Sequence, residues 1–145
     1  MDPQVSRMQR KGKGEPRKGH ILMIIAVDFD GVLCKNEFPE IGKANYTVIG
    51  LVRQLIDEGN EVILWTSRVE EELEKAVEWC EDYGLHFCAV NDNAPSNQKE
   101  FASVYKTIPR KIYADVYIDD HNAEYACCDS IQYINKLIED IRRLV

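Results

Sequence analysis

The chain has 145 residues, 45% of them apolar and 30% charged, and a chain of this size buries about two thirds of its unfolded surface in one compact domain, so a second domain is excluded. No stretch approaches the ~18–20 uninterrupted apolar residues of a membrane span, and residues 1–20 are basic without an apolar core, so a soluble, cytoplasmic protein is expected. The formal charge of −7 hides an asymmetry: residues 1–20 carry six Lys or Arg against Asp2 and Glu15, leaving a net −11 on the other 125. A body that acidic repels polyanions, which disfavours nucleic acid as its partner. The arm itself reads as a solvated tail or cloning remnant.

After the arm, residues 21–27 form a continuous apolar run ended by Asp28, the pattern of a central parallel strand. Residues 45–58 place Val48, Leu51, Val52 and Leu55 at helical spacing, with Asn45 as cap and Gly59 as stop. Residues 62–65 read as a second strand and 69–83 as a second helix, with Leu73, Ala76, Val77 and Cys80 inward. A third strand is predicted at 85–90, a weaker helix at 98–105 and a short fourth strand at 116–118. The last helix, 130–144, carries a stripe of Ile131, Ile134, Leu137, Ile138, Ile141 and Leu144, capped by Asp129 or Ser130. Strands alternating with helices predict an α/β fold: a three-layer, Rossmann-like parallel sheet flanked by helices.

In open parallel sheets, ligands bind beyond the carboxyl ends of the strands. The residues just after the apolar runs are Asp28-Phe29-Asp30-Gly31, Thr66-Ser67-Arg68, Asn91-Asp92-Asn93 and Asp119-Asp120-His121-Asn122. Four carboxylates on one edge repel one another unless a cation sits among them. Oxygen ligands without a His or Cys cluster favour a hard ion, and Mg²⁺ pairs one or two carboxylates with a substrate phosphate, which points to phosphoryl chemistry. Asp28 and Asp30 share a face of extended chain ahead of a turn at Gly31, so one can attack phosphorus and the other move a proton. Thr66, at a strand-to-helix turn, is placed to hold a phosphoryl oxygen near a helix N-terminus.

With Asp28-Phe29-Asp30-Gly31-Val32-Leu33, Leu64-Trp65-Thr66-Ser67, Lys111 and Asp119-Asp120 in this order, the sequence resembles the haloacid-dehalogenase-like superfamily of aspartate-nucleophile phosphatases. The resemblance spans roughly residues 21–144 and makes residues 21–145 one catalytic domain. It implies an Mg²⁺-dependent phosphate monoester hydrolase acting through an aspartyl-phosphate. Asp28 would be the nucleophile, Asp30 the acid/base and a metal ligand through its carbonyl, and Asp120 the second carboxylate on the ion with Asp119 in support. Thr66 would bind the phosphoryl group, and Lys111 would neutralise charge. His121 stands where relatives of this type carry Arg and is left out of catalysis. Lys111 precedes Asp119 by eight residues, about 26 Å if extended, so the chain must fold back; Lys99 and Lys106 are the alternatives.

Between Asp30 and Val62 lie 31 residues and between Val90 and Lys111 lie 20, leaving no space for the cap domain many superfamily members carry. The site should be open to small or protruding phosphoesters, with Ser67, Arg68 and Asn91 facing substrate. Competing readings are fewer. A calcium-binding loop starting at Asp28 needs its glycine at the sixth position and finds Gly31 at the fourth. A phosphorylation-dependent signalling receiver would end its third strand in Asp, where this chain has Asn91. A non-catalytic module that binds phosphate or a nucleic-acid end on the same fold remains the alternative. The scattered His20, His86 and His121 and the thiol of Cys34 read as structural or solvated. The five cysteines, Cys34, Cys80, Cys88, Cys127 and Cys128, include no Cys-x-x-Cys pair and suggest neither disulfides nor a zinc site.

Overall fold

The computed structural model describes residues 22–145; the basic arm, 1–20, with His20, and the first residue of the apolar run, Ile21, lie outside the described residues. In chain order the described residues form β1 (Ile24–Val27), β2 (Cys34–Glu37), β3 (Glu40–Ala44), α1 (Tyr46–Asp57), β4 (Glu61–Leu64), α2 (Glu70–Asp82), β5 (Ala89–Val90), α3 (Pro95–Val104), β6 (Val116–Ile118) and α4 (Ser130–Arg142), with a 3-10 turn at Ala123–Tyr125. β1 pairs with β4 and β6, and β4 with β5, all parallel, in the order β5-β4-β1-β6.

Successive side chains of a strand point to opposite faces, so the central strand serves two layers. Ile25 and Val27 pack with Val48, Val52 and Leu55 of α1, Cys80 of α2, and Leu137 and Ile141 of α4. On the other face Ala26 and Ile63 meet Ala94, Ile112 and Ala114, from the start of α3 and the segment before β6. The result is the expected three-layer α/β arrangement. Among the described residues no helix is long and apolar enough to cross a membrane.

Local chemistry sets the helix starts. The Asn45 side chain accepts from the Val48 N–H at 3.4 Å, and Asp129 forms a capping box with Gln132 ahead of α4. Three elements differ from the sequence expectation. Only Ala89–Val90 of the predicted third strand pairs with the sheet, because Leu85 turns back into the core, its N–H donating to the Cys80 carbonyl at 2.9 Å. α3 begins at Pro95 rather than Gln98, as suits a proline, whose missing N–H costs nothing at the first helical position. Residues 34–44, where the apolar pattern predicts no element, form an antiparallel β2–β3 hairpin in place of any cap-sized insertion.

The chain steps outward from β1 to β4 and β5, then crosses to the far side of β1 as β6. At that reversal the connections leave β1 and β6 in opposite directions, opening a crevice beyond their carboxyl ends.

Candidate functional site

Asp28 follows β1 and Asp119-Asp120 follow β6, so the reversal itself brings these carboxylates together. The Asp28 N–H donates to the Ile118 carbonyl at 2.9 Å, which aligns the two strand ends, and the Asp28 side chain accepts from the Phe29 N–H at 2.8 Å. Burial pushes the Asp28 carboxyl up to about 8, helped by contact with the Asp120 carboxyl and the charge of Asp119. A Cβ at Gly31 would fall within the Asp120 side chain, 2.7 Å from Cγ, and the residue has φ +85°. Only glycine lets the loop turn here under that carboxylate.

Asp120 Oδ1 is shut off from solvent with no hydrogen-bond partner among the described residues. The His121 ring, its side chain exposed, has its Nδ1 3.8 Å away. Asp119 Oδ1 accepts from the His121 N–H at 2.8 Å. One ligand atom from each of Asp119, Asp120 and His121 lies within 4.8 Å of the others. A buried orphan oxygen beside a carboxyl that burial, helped by its acidic neighbours, keeps protonated is what a hard divalent cation would relieve, and the carboxylate oxygens here suit Mg²⁺.

The structure turns Asp30 elsewhere. Both of its oxygens are held by Arg68, which donates from Nε to Oδ2 and from Nη2 to Oδ1, each at 2.8 Å. The sequence placed Arg68 toward substrate; instead it is 2% exposed, and this correction has a clear cause. Its guanidinium lies 5.1 Å from the ring centres of both Phe29 and Phe38, and its remaining donors reach the Pro39 and Glu40 carbonyls at 3.0 Å. The Asp30 carboxylate holds the guanidinium's pKa above its ordinary value. A buried cation must be paired in this way.

Asn91 is corrected as well. Its side-chain carbonyl accepts the Thr66 N–H at 2.8 Å, so Asn91 fastens the loop after β4 and the Thr66 N–H is not free for a phosphoryl oxygen. The Thr66 hydroxyl accepts from the Arg68 N–H at 3.2 Å and stays half-buried at the sheet edge. α2 begins only at Glu70, with Glu70, Glu71 and Glu72 in its first turn, so Thr66 lies ahead of a helix end already supplied with negative charge, and its hydroxyl rather than a helix N-terminus is what it offers a ligand. Ser67 is exposed and makes no hydrogen bond among the described residues. Glu70 and Asn91 both have left-handed backbone, φ 52° and 51°, a strain on the order of 1–3 kcal/mol each that brackets this loop.

Lys111 folds back as the spacing demanded. Ile112 and Ala114 are buried on the sheet face, and Lys111 Nζ rests 5.9 Å from the Tyr117 ring centre. It makes no ion pair with Asp28, Asp119 or Asp120, nor do Lys99 or Lys106. Cys34 is buried, its Sγ 3.9 Å from the Phe29 carbonyl, and burial, with Asp30 adding to it, pushes the thiol up to about 11, which suits packing rather than attack. Sequence reasoning missed Tyr133 of α4: its hydroxyl donates to the Gly31 carbonyl, and its ring meets Tyr125 edge-on at 5.1 Å. The apolar stripe of α4 omits Tyr133, and nothing in that pattern pairs it with Gly31.

With the geometry in place, comparison with solved structures gives a relative from Bacteroides thetaiotaomicron, described as a conserved protein. It is 32% identical, with a TM-score of 0.64, over 83% of this chain and 92% of that one. The chain belongs to the same family as this Bacteroides protein. The match extends over nearly the whole of the Bacteroides chain, so the likeness is one of the fold rather than of one isolated motif. No protein-family model matches the chain, and no curated protein does.

Proposed function

We propose that this member of the Bacteroides protein's family is a divalent-cation-dependent phosphate monoester hydrolase of the haloacid-dehalogenase-like type. The observation that carries the reading is the convergence of Asp28 and Asp120 at the sheet reversal, with one Asp120 oxygen buried and unpartnered. Asp28, Asp120 and the Asp30 carbonyl would hold Mg²⁺, with Asp119 behind them. Bound there, the ion would neutralise the carboxylates and polarise a phosphoryl oxygen.

Once its proton has passed to solvent, Asp28 attacks phosphorus as the ester P–O bond breaks, giving an aspartyl-phosphate. Asp30, having taken a proton from solvent on an oxygen released by Arg68, gives it to the departing alkoxide and afterwards takes one from the water that cleaves the Asp28–phosphate bond. The net change is ester plus water to alcohol plus phosphate. The Thr66 hydroxyl orients the phosphoryl group, and Lys111 reaches it from its place beside Tyr117. Among the described residues the insertion after β1 is a short hairpin, which suits a small phosphate or a protruding phosphoester.

A panel of phosphorylated compounds with Mg²⁺ tests this, alongside Asp28→Asn and Asp30→Asn. Both variants should lose turnover while keeping a wild-type circular dichroism spectrum; unchanged activity in Asp28→Asn would retire the mechanism. The two hydrogen bonds from Arg68 to Asp30 favour one competing reading, a module that binds phosphate without cleaving esters. In that case calorimetry would show Mg²⁺-dependent phosphate binding and no ester in the panel would be hydrolysed.

A further inference from the structure

Arg68 joins three segments that are distant in sequence. Its backbone belongs to the β4–α2 loop, its fork grips the carboxylate of Asp30 in the β1 loop, and its other donors reach Pro39 and Glu40 at the hairpin turn. The guanidinium also lies over the rings of Phe29 and of Phe38, the latter in the same turn and 59% exposed, 5.1 Å from each centre. Glu72 lies 3.7 Å from Nη1. A planar, five-donor group can meet all of these partners at once; a lysine ammonium, with three donors at one point, cannot.

We infer that Arg68 is a positioning residue that ties the β2–β3 hairpin to the acid/base carboxylate, so that the hairpin sets the orientation of Asp30. The inference rests on the hydrolase reading for its catalytic half, and for its mechanical half on the contacts alone. Proton transfer requires Asp30 to turn one oxygen from the guanidinium to the leaving group. Arg68 stays in place as it does so, because the second carboxylate oxygen still pairs with it, and only a paired guanidinium can remain buried against the hairpin carbonyls. Without Arg68 the carboxylate would be free to rotate, and the step that needs its proton would suffer first.

Two measurements separate this from a purely structural role. The first compares turnover of an alkyl phosphate, whose leaving group needs a proton, with that of p-nitrophenyl phosphate, whose leaving group does not. In Arg68→Met, and in Phe38→Ala, which alters only the hairpin side, the alkyl-to-aryl ratio should fall at least about tenfold. Equal losses on both esters, or an unchanged ratio in Phe38→Ala, would overturn the inference. Should Arg68→Met fail to fold, Arg68→Lys replaces it with the same expected fall.

The second is hydrogen exchange of residues 34–44 in Asp30→Asn against wild type, which needs no activity. Loss of the carboxylate should speed exchange in the hairpin, a distant turn joined to it through Arg68, by at least about tenfold; unchanged protection overturns the coupling. A wild-type protein inert toward both esters would refute the hydrolase reading and the catalytic half with it, while the exchange result still decides the mechanical half.

Discussion

Replacing Gly31 with alanine tests the convergence of the β1 and β6 loops directly. At φ +85° an L-residue is strained by about 1–2 kcal/mol. The new methyl would lie 2.7 Å from Asp120 Cγ and nearer still to Oδ2, so the carboxylate must move, adding the about 1–3 kcal/mol typical of overpacking. A total of about 2–5 kcal/mol corresponds to a melting point lower by about 5–15 °C for a chain of this size. Gly50 supplies the control of opposite sign. It lies in α1, and a methyl added there would meet nothing within 4 Å, so Gly50→Ala should gain about 0.5–1 kcal/mol from helix propensity. Thermal denaturation followed by circular dichroism, without and with Mg²⁺, reads both. The displaced Asp120 should also shrink the Mg²⁺-induced rise in melting point for Gly31→Ala but not for Gly50→Ala. A Gly31→Ala protein that melts within about 2 °C of wild type would show that Asp120 does not lie over Gly31.

Stability should depend on pH through Asp28. The unfolded chain releases this proton near 3.8, whereas the folded protein holds it to about 8. Between those values the native state binds more protons, so stability falls as pH rises through the window. Melting points taken from pH 5 to 8 without divalent ions should decline, Asp28→Asn should flatten the slope, and a level wild-type profile would refute the assignment. Asn91→Ala leaves the Thr66 N–H without its acceptor and puts a poor residue at φ 51°; it should cost about 1–3 kcal/mol in chemical denaturation, and Asn91→Gly less. If Lys111 is the cation of the reaction, Lys111→Met should lower turnover about 100-fold or more in steady-state assays while Lys99→Met and Lys106→Met do not.

What could be read along the chain was whatever repeats in apolar spacing. β1 and β4 are buried runs, and α1, α2 and α4 show stripes that meet the sheet, so their places follow from burial alone. The carboxylates were legible for the same reason. Parallel strands all end at one edge, and a polar residue directly after an apolar run must stand there, as Asp28 and Asp119 do. The β2–β3 hairpin escaped because Cys34–Glu37 buries only its first residue; backbone pairing and the Arg68 contacts hold it, and neither leaves a hydrophobic pattern. Pro95 was a readable helix start that the apolar spacing of α3 was too weak to support.

Direction is where tertiary structure took over. Arg68 follows the Thr66 loop and reads as an outward cation, yet Asp30 lies 38 residues away in sequence and the hairpin carbonyls 28 and 29. Tyr133 reaches Gly31 across 102 residues. Local sequence sets which residues arrive at the sheet edge, since strand length and burial are local matters. Which of them turn toward one another is set by contacts between segments that only the folded chain brings within hydrogen-bonding distance, because charge pairing and desolvation act through space and not along the backbone.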